Sequence, residues 1–405
     1  MRRPLLIINR NPHRTLFDGE RCLVPLAEVE PHLVTNPWLV ERLDSRTFRH
    51  TTVCDFAIDE RVESTCDWIV RTNGIQGIVA LHEKMVMMAA RLRTAHGLPG
   101  LQLDTALLFR DKIRMKTAVR AHGVTVPDFR ALDGEDDLAA VDWSVGRHVI
   151  KPRAGLGSRQ AHVVDSLAAA REVWHALGTG AGEYQIEQFI TGDMYHCDGV
   201  VQDGALLHAS VGRYLVRPGH FAPGATAGSY LLPAGELAQR IVDLHGRVVA
   251  ALGLRSGVTH LEVFHTSEGG ELVFCEIAAR PGGGGIDRMI LHRDGVHIRE
   301  AAIRIEAGLA VPTAHRPVPA AQKSVWGRVG IYPGGPEPVE LTAQECAELG
   351  VVEQEHCPDA GGKDRVPQHS TDYAHRFIVH ADSPADFVAK AARLKAAVAA
   401  GSPAG

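Results

Sequence analysis

Two strands and the turn between them constrain this chain more than any other stretch. Residues 258–264, Val-Thr-His-Leu-Glu-Val-Phe, read as a strand with His260 and Glu262 two positions apart. A Ser267-Glu268-Gly269-Gly270 turn follows, and the mostly apolar 271–277 read as a second strand before Ala278, Ala279, Arg280, Pro281 and four glycines, Gly282 to Gly285. Side chains on a strand point alternately to its two faces. His260 and Glu262 therefore share one face, and Glu276, Ala278 and Arg280 share one face of the partner. The turn makes the two strands hairpin neighbours. Carboxylates on adjacent strands repel and desolvate one another, a poor arrangement until a divalent cation lies between them. With oxygen ligands only and no Cys or His at ligand spacing, Glu262 and Glu276 read as a metal pair for Mg²⁺, with Mn²⁺ as the alternative ion. The competing reading is two solvated carboxylates on an exposed sheet face.

With 405 residues and 45% hydrophobic content, the chain is long enough for two to three domains with ordinary cores. A net charge of -5 and scattered lysines and arginines leave no footprint for nucleic acid or an anionic membrane. The apolar run Leu5 to Ile8 is broken at once by Asn9 and Arg10, too short for a signal segment or a membrane span, so a cytoplasmic protein is expected. Seven cysteines without a C-x-x-C spacing fit reduced thiols, with Cys197 and Cys275 as small core residues.

Short buried strands at 5–8 and 77–81, with a helix over 84–95 ended by His96 and Gly97, predict an open parallel α/β domain over residues 1–108. One helix is expected across 107–122, stopped by Gly123. Strands at 148–152, 161–164, 185–190, 196–201 and 206–215 are separated by glycine turns and predict an antiparallel sheet, whose division into 109–191 and 192–316 is what the resemblance given below implies. Helices over 235–252 and 296–307 bracket the acidic hairpin. The tail, 317–405, restarts with a strand over 323–332 and ends in a helix over 384–399, a small α+β unit with a frayed end at 400–405. The fold class is therefore α/β combined with α+β.

Lys151 ends a strand immediately before Arg153-Ala154-Gly155-Leu156-Gly157-Ser158, which places an ammonium and free backbone N–H groups near one anion, with a polyphosphate as the natural guest. Lys112, opening a helix, is a second phosphate cation or a solvated helix lysine. Glu187, flanked by Ile186 and Phe189, is either an edge-strand carboxylate facing water or a buried one that needs a donor such as an adenine amino group. The glycines after Arg280, Gly282 and Gly283 among them, allow close backbone approach to a substrate. Arg213, Tyr214 and His260 are candidates to line its pocket, a structural role being the alternative for each.

In this order the sites resemble the ATP-grasp superfamily of carboxylate–amine ligases, most of all its L-amino-acid ligase and biotin carboxylase branches. Asp111-Lys112 through Gly123 and Pro127, Ile150-Lys151-Pro152 with Gly155, Gly157 and Ser158, and Ile186-Glu187-Gln188-Phe189-Ile190 carry the resemblance. So do His260-Leu261-Glu262 and Phe274 to Gly283. It implies an N-terminal open α/β domain, central antiparallel ATP-grasp subdomains and a small C-terminal α+β domain. It implies ATP and Mg²⁺, with Lys112 and Lys151 on phosphates, Glu187 on the adenine amine, and Phe189 and Ile190 on the adenine edge through the backbone. Glu262 and Glu276 would hold the metal, and Arg280 would neutralise a carboxylate and its acyl phosphate. The implied reaction is ADP-forming amide synthesis between a small-molecule carboxylate and an amine, both amino-acid-like, in a chain that could form a homodimer. A carboxylase using carboxyphosphate and a catalytically silent nucleotide-binding protein are the rivals. Two positions depart from the family. Ala278 replaces a metal-site Asn, and Met194 stands where a ribose-binding Glu is common, with Asp193 or His196 as substitutes or as residues of a surface turn. The tail, with Trp326 to Tyr332 and Gly361-Gly362, resembles the C-terminal domain of the amino-acid ligases loosely.

Overall fold

The computed structural model describes residues 2–42, 47–178, 182–219, 222–312, 324–334, 340–356, 366–367 and 369–400. Lys323, Gly361, Gly362 and 401–405 of the tail lie outside the described residues.

The uninterrupted apolar run at the N-terminus behaves as a strand covered on both faces should. Leu5 to Ile8 are at most 1% exposed in β1 (Arg3–Asn9). With β2 (Val29–Thr35), β3 (His50–Val53) and β4 (Gly77–Val79) it forms a parallel sheet in the order β3-β2-β1-β4. The sequence reading lacked β2, whose Pro31 and His32 interrupt its apolar pattern, and β3, a short polar edge. The expected helix before Gly97 spans Glu83–His96 and stops there in the left-handed conformation.

The single helix expected across 107–122 is two, Leu103–Arg110 and Lys112–Ala121. Asp111 divides them because its carboxylate accepts from the backbone N–H groups of Ile113 and Arg114, which makes it an N-cap and not a helix interior residue. This cap sets Lys112 at the first helical position, on the site.

A four-stranded antiparallel sheet follows, formed by β5 (Phe129–Leu132), β6 (His148–Pro152), β7 (His162–Val164) and β8 (Tyr184–Gln188) in the order β5-β8-β6-β7. The third sheet has eight strands. They are β9 (Gly192–Gln202), β10 (Ala205–Tyr214), β11 (Thr226–Leu231), β12 (Gly257–Thr266), β13 (Leu272–Ala278), β14 (Val325–Ile331), β15 (Val351–His356) and β16 (His375–Ala381), in the order β13-β12-β9-β10-β11-β14-β16-β15. The C-terminal strands β14, β15 and β16 extend this sheet through the β11–β14 pairing.

Helix Glu236–Ala251 buries Ile241, Leu244, Val248 and Val249 against Cys197, Leu261, Val263 and Phe274. Because strand side chains alternate, this packing turns His196, Asp198, His260 and Glu262 to the other face of the sheet. A bulge keeps β13 in step. Glu262 pairs with Glu276 and Val263 with Phe274, leaving Cys275 as the extra residue. Cys197 and Cys275 are buried free thiols, as expected. Among the described residues no helix is long and apolar enough to cross a membrane.

Candidate active site

The hairpin places Glu262 and Glu276 directly opposite one another. Glu276 Oε2 lies 3.1 Å from Lys112 Nζ, which also donates to the Gly155 carbonyl at 3.2 Å. Glu262 Oε1 accepts from the Tyr214 hydroxyl at 2.8 Å. Burial pushes the Glu276 carboxyl up, but Lys112, Lys151 and Lys116 together override it and hold the group down at about 2. Glu276 is therefore ionised at neutral pH, and the two carboxylates fit a divalent cation better than they fit each other. Ala278, where the resemblance implies an Asn, faces His260 across the strands, and His260 Nε2 lies 3.7 Å from Glu262 Oε1.

Glu187 is buried at 5% exposure, which settles it against an edge position facing water. Its oxygens are taken by Lys151 Nζ at 2.6 Å, Lys116 Nζ at 3.2 Å and the Gln185 amide at 2.8 Å. The donor that a buried carboxylate requires thus comes from the protein itself, and an adenine amine is not needed to satisfy it. Lys116, missing from the sequence reading, is fully buried and also donates to the Cys275 carbonyl at 2.7 Å. Its signal was its spacing, four residues after Lys112 and so on the same helical face. Burial lowers the Lys116 ammonium, while at Lys151 burial is overcome by Glu187 and the ammonium is raised. At the hinge, Phe189 lies between the guanidiniums of Arg147 and Arg217, with centroid distances of 4.2 and 4.5 Å. The Phe189 N–H donates to the Arg147 carbonyl at 2.9 Å, and the Ile190 carbonyl accepts from Arg217 at 2.7 Å. These two backbone groups, expected on an adenine edge, already have protein partners.

A second layer stands behind the acidic pair. Asp198 is fully buried and takes His196 Nδ1 at 2.6 Å and His260 Nδ1 at 2.9 Å, one on each oxygen. Burial lowers the His260 imidazole, but Asp198 and Glu262 outweigh it and raise the group to about 9. The ligand atoms of His196, Asp198 and His260 lie within 4.8 Å of one another, near enough for a cation. The short imidazole contacts already satisfy both carboxylate oxygens, so the cluster is read as a hydrogen-bond network that fixes His260. A methyl group at Gly282 would sit 2.5 Å from Asp198 Oδ1 and 2.9 Å from His260 Nδ1, so only glycine lets the loop pass over this network. Gly282 to Gly285 lead into a helix, Ile286–Asp294, that the sequence reading lacks.

Arg280 is ion-paired through Nε with buried Glu83, which also accepts from Arg110 at 2.5 Å. Its Nη1 donates to the Pro281 carbonyl at 2.8 Å. Tyr214, His260, Glu262, Glu276, Arg280, Gly282 and Gly283 border one cavity of about 790 Å³, and Gly157 and Ser158 close its other side. The glycine loop rests on the C-terminal segment. Ser370 N–H donates to the Gly157 carbonyl at 3.3 Å, and any side chain at Gly157 would overlap the His369 ring.

Of the two readings of Arg213 the structure takes the structural one, and the surface-turn reading of Asp193 and His196 gives way to strand. Arg213, next to Tyr214 in β10, points to the opposite face and pairs with Asp193 at 2.8 Å, away from the cavity. That pair lies on strands, not in a surface turn. His196 is fully buried on Asp198, also on a strand, and Met194 packs with Phe264, Val273 and Cys275.

No family model matches the chain. Over 246 residues it is 30% identical to the L-arginine-specific L-amino acid ligase of Bacillus subtilis, a match covering 58% of this chain and 59% of that protein, less than two thirds of its length. Two solved structures match almost end to end. The L-amino acid ligase from Bacillus licheniformis superposes with a TM-score of 0.75 at 18% identity, covering 97% of each chain. The carboxyaminoimidazole ribonucleotide synthase from Aspergillus clavatus, solved in complex with ATP, gives a TM-score of 0.71 at 15% identity, again covering 97% of each.

Proposed function

We propose that this chain, whose fold is that of the ATP-grasp ligases, is an ADP-forming enzyme that joins the carboxylate of one amino acid to the amine of another. The observation that carries the reading is the opposed pair of Glu262 and Glu276 on the wall of one cavity with Tyr214 and Arg280, Glu276 being met from behind by Lys112. The likeness to an L-arginine-specific L-amino acid ligase supports amino acids as the substrate class.

A carboxylate and an amine do not condense in water because oxide is a poor leaving group. In the proposed reaction a carboxylate oxygen attacks the γ-phosphorus of ATP in line and ADP departs. The amine then attacks the acyl carbon, and inorganic phosphate leaves with the bonding pair. Glu262 and Glu276 would hold Mg²⁺, which when bound neutralises charge on the phosphates. Lys112 and Lys151 bring ammonium groups to the same region, and the Gly155 to Ser158 loop, of which Gly157 and Ser158 border the cavity, would act as a lid that offers backbone amides to the phosphates. Arg280, oriented by Glu83, is placed for the oxyanion of the tetrahedral step. A lid resting on His369 and Ser370 keeps water from the acyl phosphate.

The test is ADP release from ATP and Mg²⁺ with pools of amino acids or with bicarbonate. The expected result is ADP and phosphate in response to amino-acid pairs. AMP and pyrophosphate as products, or stimulation by bicarbonate alone, would contradict the reading.

A further inference from the structure

Six guanidiniums stand on the cavity wall, Arg217, Arg280, Arg288, Arg299, Arg328 and Arg376. Four are neutralised by carboxylates. Arg280 has Glu83, Arg288 has Glu353 at 2.5 Å and Asp18 at 2.7 Å, Arg299 has Asp287 at 2.5 Å, and Arg376 has Glu355. Arg217 and Arg328 have no carboxylate partner among the described residues. Arg217 is explained by its place at the hinge, stacked on Phe189 and Phe264 and bonded to the Ile190 carbonyl.

Arg328 is different. It comes from β14 and is only 5% exposed, and its described partners are all neutral. Nε donates to Ser229 Oγ at 3.1 Å, and Nη1 donates to the Tyr373 hydroxyl at 2.9 Å and the Gly284 carbonyl at 3.2 Å. A methyl group at Gly284 would come within 2.8 Å of Nη1, so the glycine loop lies directly against the guanidinium. Nη2 has no protein partner among the described residues. A buried charge without a counterion is costly, and a protein that orients one with three neutral partners at the edge of a cavity has left the counterion to a ligand.

We infer that Arg328 binds the unreacting α-carboxylate of the acceptor amino acid, the one whose amine is acylated. The inference rests on the proposed ligation and deepens it. The carboxylate that is activated must lie by Glu262, Glu276 and the lysines, where phosphoryl transfer would occur. Arg328 touches the far end of the Gly282 to Gly285 loop, and Arg280 precedes that loop. Two carboxylates with different fates thus have separate cationic partners, and the acceptor is held by its spectator end with its amine directed toward the reacting centre. A planar guanidinium with a tyrosine hydroxyl beside it suits the two oxygens of a carboxylate.

The experiment compares an acceptor amino acid with its α-carboxamide, in wild type and in Arg328→Lys and Arg328→Gln, scoring product formation and KM for ATP. Wild type should prefer the free acid by about 10²-fold in kcat/KM, and Arg328→Gln should reduce that preference to near unity by losing the acid and not by gaining the amide. Arg328→Lys keeps the charge but loses the planar fork, so an intermediate preference is expected at unchanged KM for ATP, and its thermal melt checks folding. If Arg328→Gln does not fold, Tyr373→Phe, which removes one partner that orients the guanidinium, should lower the preference several-fold. Retention of the full preference in Arg328→Lys and Tyr373→Phe, or a wild type that accepts amide and acid alike, overturns the assignment. Calorimetric titration of the acceptor into enzyme holding a non-hydrolysable ATP analogue separates the two levels. Arg328-dependent binding without any turnover would retain the carboxylate site and sink the proposed reaction, whereas Arg328-independent binding sinks the site alone.

Discussion

The two sides of the cavity treat charge in opposite ways. On the hairpin side three charged groups are already paired: Glu276 has Lys112, Glu187 has Lys116 and Lys151, and Arg280 has Glu83. On the side built by β14 and the glycine loop, Arg328 is buried without a counterion. On the proposed function, the difference separates a pre-assembled reaction framework from a docking point. A framework that must steer phosphoryl transfer holds its charges in place before substrate arrives, because reorganising them during the reaction would raise the barrier. A group whose task is to recognise a carboxylate is left wanting one.

If the hairpin side is internally compensated, breaking it should be expensive. Lys116→Met leaves Glu187 with one ammonium in place of two and is expected to cost about 3–5 kcal/mol of stability in urea titration. A loss below about 1 kcal/mol would mean that the buried triad is not held as a unit. Glu276→Gln should reduce ADP formation by about 10² or more with the fold intact, equivalent to about 3 kcal/mol of transition-state stabilisation. Wild-type turnover by that variant would remove the metal assignment.

A neutral buried site gives a third point of comparison. His245 is fully buried, bonded to Thr259 Oγ1 at 2.7 Å and in contact with Cys197 Sγ at 3.0 Å, and burial pushes its imidazole down to about 4. The unfolded chain takes a proton near pH 6.5 that the folded protein refuses. The stability this site lends is thus complete above pH 6.5 and lost as the pH falls through 4, a change of about 3 kcal/mol. Unfolding titrations at pH 7, 5.5 and 4 should show a shallower acid limb for His245→Gln than for wild type, and parallel curves would refute the linkage. Arg328→Gln should have the smallest effect on the unliganded protein, under about 1 kcal/mol, because the charge removed had no counterion to leave behind. A loss as large as that of Lys116→Met would erase the contrast between the two sides.

What the sequence revealed followed the range of the interactions involved. The Glu262–Glu276 pairing was readable because strand alternation and one glycine turn fix it locally. Lys151 before Gly155 was readable for the same reason. The network of His196, Asp198 and His260 was not, since it depends on β9 lying against β12 with Asp198 opposite His260, a register set by packing over sixty residues of chain. For Glu187 the sequence leaves a water-facing edge and a buried site open, because the lysines that meet it come from a helix and a neighbouring strand. Arg213, with a pocket role and a structural one side by side in the sequence, takes the structural one because alternation sends it away from the face of Tyr214. Arg328 lay in the tail, whose strands join the main sheet only in three dimensions.

The central claim is that the carboxylate passes through an acyl phosphate. An isotope measurement tests it most directly: an amino acid carrying ¹⁸O in its carboxylate, incubated with ATP, Mg²⁺, the enzyme and an acceptor amino acid, followed by mass analysis of the inorganic phosphate. One labelled oxygen should move from carboxylate to phosphate for each amide formed, because the bridging oxygen leaves with phosphorus when the amine attacks carbon. Amide formation with unlabelled phosphate would contradict the mechanism.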